Sequence, residues 1–106
     1  MDNKRYDLSN VLVTGASGNI GKAVCSILKY NKINFKKLSK YNKSKRFSLE
    51  NTKSVKKLSK FINPSLIIHS AIDDKFKPNL NVNIFMMKNL IEFFKCPIIY
   101  ISSVSV

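Results

Sequence analysis

The chain has no tryptophan, three glycines, three prolines, two cysteines, one histidine and six acidic residues among its 106. Each scarcity excludes something. Cys25 and Cys96 stand far apart without C-x-x-C spacing, so neither a zinc site nor a redox pair is expected, and both should be reduced and buried. The single histidine, His69, lacks cysteine or carboxylate companions and is expected to be a packed strand-end residue rather than a base or a metal ligand. No run approaches the roughly 20 apolar residues that cross a bilayer, and the N-terminus lacks the apolar stretch of a secretory signal, so a cytoplasmic protein is expected. A length of 106 residues leaves no room for a second core, and 44% hydrophobic with 24% charged residues is ordinary globular composition.

The shortage of acid leaves a formal net charge of +13. That suits counterion release at a nucleic acid. Yet 17 of the 19 basic residues are lysine, and only Arg5 and Arg46 are arginine, the residue that dominates base and bidentate phosphate recognition. Asparagine and isoleucine are also abundant, at 12 each, a mark of A/T-rich codons. Solvated lysine faces are therefore the better reading and nucleic-acid binding the lesser one.

Against this background the apolar residues are well ordered. Asn10-Val11-Leu12-Val13-Thr14 is a β-rich run without alternation, the pattern of a strand buried on both faces. From Gly18 the apolar residues Ile20, Ala23, Val24, Ile27 and Leu28 make one helical stripe that ends at Tyr30-Asn31. Ile33 to Leu38 reads as a second strand, and Ser39 to Arg46 as a polar loop. Val55, Leu58, Phe61 and Ile62 follow helical spacing until Asn63-Pro64 stops them. Leu66 to His69 is a third buried strand, Asp73 to Pro78 a solvated loop, Asn79 to Lys95 a long helix, and Ile98 to Ile101 another strand. Strands alternating with helices imply parallel strands joined by right-handed crossovers, hence a Rossmann-like, doubly wound α/β sheet of about four to five strands. Its last strand has no following helix, so the sheet is expected to be incomplete at its C-terminal end.

All three glycines fall within Thr14-Gly15-Ala16-Ser17-Gly18-Asn19-Ile20-Gly21, a segment that follows the first strand and opens the first helix. Gly15 permits a tight turn off the strand, Gly18 lets backbone approach a pyrophosphate, and Gly21 lets the helix pack on the strand. The N–H groups opening the helix, around Asn19 and Ile20, have no partner within it, and the helix dipole is positive there, so an anion is welcome. Ser17 adds a hydroxyl donor.

Together with this loop, three further segments resemble the extended short-chain dehydrogenase/reductases, the NAD(P)-dependent epimerases and dehydratases. Ile68-His69-Ser70-Ala71 is similar to a strand ending in H-x-A-A, with Ile72 in place of the second alanine. Asn83 to Glu92 resembles N-V-x-G-T-x-N-L-L-E, with Met86-Met87 in place of Gly-Thr. Ile101 to Val106 resembles the strand end that runs on into Tyr-Gly. The resemblance implies an NAD(P)-binding Rossmann domain over residues 1–106, the N-terminal portion of an enzyme whose substrate-binding C-terminal region is absent. The implied chemistry is hydride transfer on a nucleotide-activated sugar. The implied pyrophosphate ligands are Gly15, Ser17, Gly18, Asn19, Ile20 and Gly21, with Ala71 and Asn83 on the nicotinamide side. Ser103 maps onto the catalytic serine or threonine that hydrogen-bonds the reacting hydroxyl or carbonyl. The tyrosine and lysine of a Y-x-x-x-K pair should follow it, beyond Val106, so this chain alone is expected to be inactive. Tyr41 and Lys45 match that spacing formally, but sit at the adenosine end and read as coincidence. Where NAD-preferring relatives carry an acidic residue after the second strand, Ser39 and Lys40 stand here, which favours the 2′-phosphate of NADP. Ser48-Leu49 replaces an acidic residue near the adenine. The helix from Asn79 to Lys95 is apolar on more than one face, which suits either a homodimer or cover by further chain. A non-catalytic dinucleotide sensor is the alternative function.

Overall fold

The structure, a computed structural model, describes residues 6–38, 41–42, 45–46, 49, 51–70 and 80–101. The apolar run Val11–Thr14 forms β1, and all four side chains are buried, as a strand covered on both faces requires. It is followed by α1 (Asn19–Tyr30), β2 (Phe35–Leu38), β3 (Tyr41–Asn42), β4 (Lys45–Arg46), α2 (Thr52–Ser59), β5 (Leu66–His69), α3 (Leu80–Phe93) and β6 (Ile98–Tyr100). Four strands form one parallel sheet in the order β2-β1-β5-β6. Alternation along β1 divides the core. Val11 and Val13 pack with Cys25, Leu28 and Leu66 beneath α1. Leu12 packs with Ile67, Val55, Met86, Leu90 and Phe94 beneath α2 and α3. Helices on both faces of a parallel sheet are the doubly wound arrangement that the strand-helix alternation implied.

Local chemistry explains where the elements depart from the sequence reading. The buried stripe of α1 is Gly21, Cys25 and Leu28 with Val24 against them, while Ile27 is 61% exposed. The close approach of Gly21 to the preceding turn sets this rotation. At the other end of α1, Ile33 N–H donates to Leu28 O and Lys32 N–H to Lys29 O, the paired bonds of a Schellman cap. Lys32 takes the left-handed φ of 57° that glycine usually supplies there. α2 stops at Ser59, short of Asn63-Pro64. Lys60 and Phe61 N–H donate three residues back, to Lys57 O and Leu58 O, tightening the last turn as the chain heads for β5. Phe61 is consequently 76% exposed rather than part of the buried stripe.

The stretch expected as a loop from Ser39 to Arg46 contains the antiparallel ribbon β3-β4, with Tyr41 opposite Arg46 and Asn42 opposite Lys45. Tyr41 and Lys45 therefore lie on two facing strands, not one turn apart on a helix. Cys25 is buried as expected, but Cys96 is only half-buried, and both thiols are free. Burial pushes both thiols above their usual range. On α3, Met86 and Leu90, with Phe94 just past its end, face the core while Ile84, Phe85 and Ile91 face outward, so the helix does carry apolar surface on two sides. No helix among the described residues is long and apolar enough to cross a membrane.

Candidate functional site

From β1 the chain crosses to β2 on one side of the sheet, whereas β5 and β6 lie on the other. The carboxyl ends of β1 and β5 therefore flank the point where strand order reverses, the place where open α/β sheets leave a crevice. Thr14 and His69 end these two strands and are paired in register.

Gly15 leaves β1 with φ of 64°, a conformation that costs a residue with a Cβ about 1–2 kcal/mol. Ala16 N–H donates to Leu38 O at 3.3 Å, fastening the turn to β2, and Gly18 N–H donates to Gly15 O at 3.1 Å to close it. A Cβ on Gly21 would run into Gly15 O and lie 2.8 Å from Ala16 Cα, so the helix can approach this closely only as glycine. Gly18 is different. A Cβ there would meet only Gly15 O at 3.5 Å, an ordinary contact, and its φ of −76° suits any residue. Nothing in the fold itself asks for glycine at 18, which is what a position reserved for close approach by a ligand looks like.

Gly18 is also the N-cap of α1. No side chain caps the helix and its first turn holds no acidic residue. The first helical bond, from Lys22 N–H to Gly18 O at 2.8 Å, leaves the N–H groups of Asn19 and Ile20 at the positive end of the helix without an intrahelical partner. Ser17, Gly18 and Asn19 are exposed and Ile20 is half-buried. The turn can thus receive an anion through backbone donors, and Gly18 leaves a cradle that a side chain would fill.

Behind the turn lies a polar cluster that sequence reasoning did not anticipate. Thr14 Oγ1 and His69 Nδ1 share a hydrogen bond of 2.7 Å, with Thr14 0% and His69 1% exposed. Ser70 N–H donates to Thr14 Oγ1 at 3.1 Å, and Ser70 Oγ donates to Thr14 O. His69 O accepts from Ile101 N–H at 3.0 Å, and the Tyr100 ring lies 5.5 Å from the imidazole at 34°. Burial pushes the imidazole pKa down to about 4, so His69 is neutral near pH 7. The only signal in the sequence was that Thr14 and His69 each close an apolar run. A second buried polar group, Asn89 on α3, donates through Nδ2 to Leu49 O at 2.9 Å and accepts from Thr52 Oγ1 at 3.3 Å. It holds the start of α2 beneath the sheet.

Among the residues singled out from the sequence, Gly15, Ser17, Gly18, Asn19, Ile20 and Gly21 come together in this turn. Asn83 sits half-buried in the first turns of α3. Ser39, Lys40, Ala71 and Ser103 lie outside the described residues, as do Asp73 and Asp74. No group of three His, Cys, Asp or Glu side chains suited to a metal ion occurs among the described residues.

Residues 11–106 match the family described as the NAD dependent epimerase/dehydratase family. The chain belongs to that family. No curated protein matches it. Among solved structures, a GDP-L-fucose synthetase from Naegleria fowleri is 27% identical with a TM-score of 0.65, covering 88% of this chain and 30% of its own. That Naegleria protein has also been crystallised bound to NADP. The UDP-glucose 4-epimerase of Thermus thermophilus, in complex with NAD, is 23% identical with a TM-score of 0.63, covering 78% of this chain and 32% of its own. The ADP-L-glycero-D-manno-heptose-6-epimerase of Helicobacter pylori is 17% identical with a TM-score of 0.65, covering 97% of this chain and 41% of its own. The last two likenesses are of fold. This family member spans less than half the length of each of the three.

Proposed function

We propose that residues 1–106 are the dinucleotide-binding portion of an epimerase/dehydratase-type enzyme that acts by hydride transfer on a nucleotide-activated sugar, with substrate binding supplied by chain outside this sequence. The observation that carries this reading is the opening of α1: exposed, uncapped, and led by a glycine that the fold does not itself require. The likeness to proteins crystallised with NAD and with NADP supports the choice of ligand. When bound, a nicotinamide dinucleotide supplies a carbon that gives or takes hydride.

The chain's own contribution is then to bind and orient. The N–H groups of Asn19 and Ile20, with the Ser17 hydroxyl, hold the pyrophosphate against the bare backbone of Gly18, while Gly15 and Gly21 keep the turn tight enough to present them. Ala71 and Asn83 flank the nicotinamide side. Ser103 hydrogen-bonds the substrate oxygen at the reacting carbon. Ser39 and Lys40 bind the 2′-phosphate and tilt the preference toward NADP. Ile84, Phe85 and Ile91 on the outer face of α3 form the contact of a homodimer.

A fluorescence titration of the folded, monodisperse chain tests this with NADPH and NADH separately. Saturable binding of both, tighter for NADPH, is the expected result. No saturable signal from either coenzyme would overturn the reading, and tighter NADH binding would overturn the assignment of Ser39 and Lys40.

A further inference from the structure

Three strand ends carry the proposed site, and one side chain touches all three. β1 leads into the glycine turn, β5 leads toward Ala71, and β6 leads toward Ser103. His69 ends β5, shares a hydrogen bond with Thr14 at the end of β1, and lies against the Tyr100 ring at the end of β6. Its carbonyl accepts from Ile101 N–H, the residue just past β6. Ser70 adds a second stitch between β5 and β1, its N–H and hydroxyl both bound to Thr14.

We propose that His69 is a positioning residue for the dinucleotide: through Thr14 its imidazole sets where the glycine turn sits relative to the ends of β5 and β6. The inference deepens the dinucleotide reading above and rests on it. At the carboxyl edge of a parallel pair the ladder ends, and the strands are free to splay into the crevice. Side-chain bonds across that edge replace the missing ladder bonds. Thr14 is followed directly by Gly15, whose φ of 64° starts the turn, so displacement of Thr14 carries Gly15 with it. Loss of the imidazole leaves Thr14 Oγ1 with its bond from Ser70 N–H but removes the 2.7 Å bond that fixes which way the hydroxyl and its residue face. Shape alone would be served equally well by a leucine or phenylalanine at 69; only a polar link ties its position to Thr14.

Three variants separate the polar link from bulk. His69→Phe keeps an aromatic ring against Tyr100 and removes the ring nitrogen. His69→Asn puts a donor or acceptor where Nδ1 stood. Thr14→Val deletes the hydroxyl at constant shape. NADPH affinity is measured by fluorescence well below each variant's melting temperature, alongside the amide spectrum of chain labelled with 15N at glycine only. The chain contains three glycines, Gly15 and Gly18 in the turn and Gly21 in the first turn of α1, so that spectrum reports the turn and its seat directly. We expect His69→Phe and Thr14→Val to weaken NADPH tenfold or more and to move the Gly15 and Gly18 signals. His69→Asn should recover affinity to within threefold of the parent and restore those signals. Parent-like affinity and glycine signals in His69→Phe would overturn the proposal, as would a His69→Asn no better than His69→Phe. Should His69→Phe fail to fold, His69→Leu, which also lacks the ring nitrogen and leaves the Ser70 bond to Thr14 in place, decides the question in the same terms. If the parent itself binds no dinucleotide, the functional reading fails, while unmoved glycine signals in the variants would overturn the positioning role separately.

Discussion

α1 and α2 begin in opposite ways, although an extended residue leads into each. Gly18 opens α1 with φ −76° and ψ 170°, and Asn51 opens α2 with φ −87° and ψ 109°, both extended residues leading into a helix. Asn51 turns its own side chain onto the helix, Oδ1 accepting from Ser54 N–H at 3.1 Å, and so satisfies a donor that the helix cannot. Gly18 has nothing to turn. α1 is held instead from below, by Gly21 against Gly15 and by Cys25 and Leu28 in the core. A helix that needs only to be stable caps itself; one anchored by packing can leave its first N–H groups for something else.

That contrast breaks most severely at Gly21. An added methyl would meet the Gly15 carbonyl and Ala16 Cα, both backbone, so nothing can swing aside and the first turn of α1 must lift off the loop. Forcing atoms into a packed interior costs about 1–3 kcal/mol or more, and displacing a turn that also bonds Leu38 O puts this site at the upper end. Gly21→Ala should therefore lose about 3 kcal/mol or more, a large share of the roughly 5–15 kcal/mol of a small domain. Urea denaturation measures it, and a midpoint close to the parent's would mean that the helix is not seated as described.

The next largest effect is acid, and it too belongs to the α1 end. His69 titrates near 4 in the folded protein, because burial disfavours its charge, and near 6.5 when unfolded. Between those values the unfolded chain binds more protons, so stability is complete above about pH 6.5 and falls as pH drops toward 4, by up to about 3 kcal/mol. Urea midpoints at pH 7, 6 and 5 should decline for the parent and stay flatter for His69→Asn. Parallel curves would remove His69 as the cause.

The legibility of these features from sequence divides along the same line. The β1-turn-α1 unit was readable because its determinants are local: an apolar run, three glycines within seven residues, and a helical stripe after them. The rotation of α1 is not, since it depends on which residue touches the turn: the apolar spacing points Ile27 inward, whereas Cys25 holds that position. The Thr14–His69 bond was likewise out of reach, because register between β1 and β5 is a tertiary property of segments 55 residues apart. The ribbon β3-β4 formed from a lysine-rich stretch with no apolar alternation to announce it. The early end of α2 follows from where the chain must turn toward β5, a demand invisible in the spacing of Leu58, Phe61 and Ile62.

The smallest effects on stability give the sharpest test, because they exchange the two helix beginnings. Asn51→Ala should cost about 1 kcal/mol, the usual worth of a lost cap, and leave NADPH affinity unchanged. Gly18→Asp does the reverse. The backbone at 18 accepts any residue and the Cβ has room, so the carboxylate can accept from the first-turn N–H groups and meet the positive end of the helix. It should raise stability by about 0.5 kcal/mol, little more than the difference between glycine and a good cap. That same carboxylate would occupy the donors assigned to pyrophosphate and repel a second anion, so NADPH binding should fall more than tenfold. A Gly18→Asp protein that is more stable and still binds NADPH like the parent would show that the uncapped end of α1 serves no ligand. A variant that gains the cap and loses the coenzyme would show that the absent cap is what leaves room for it.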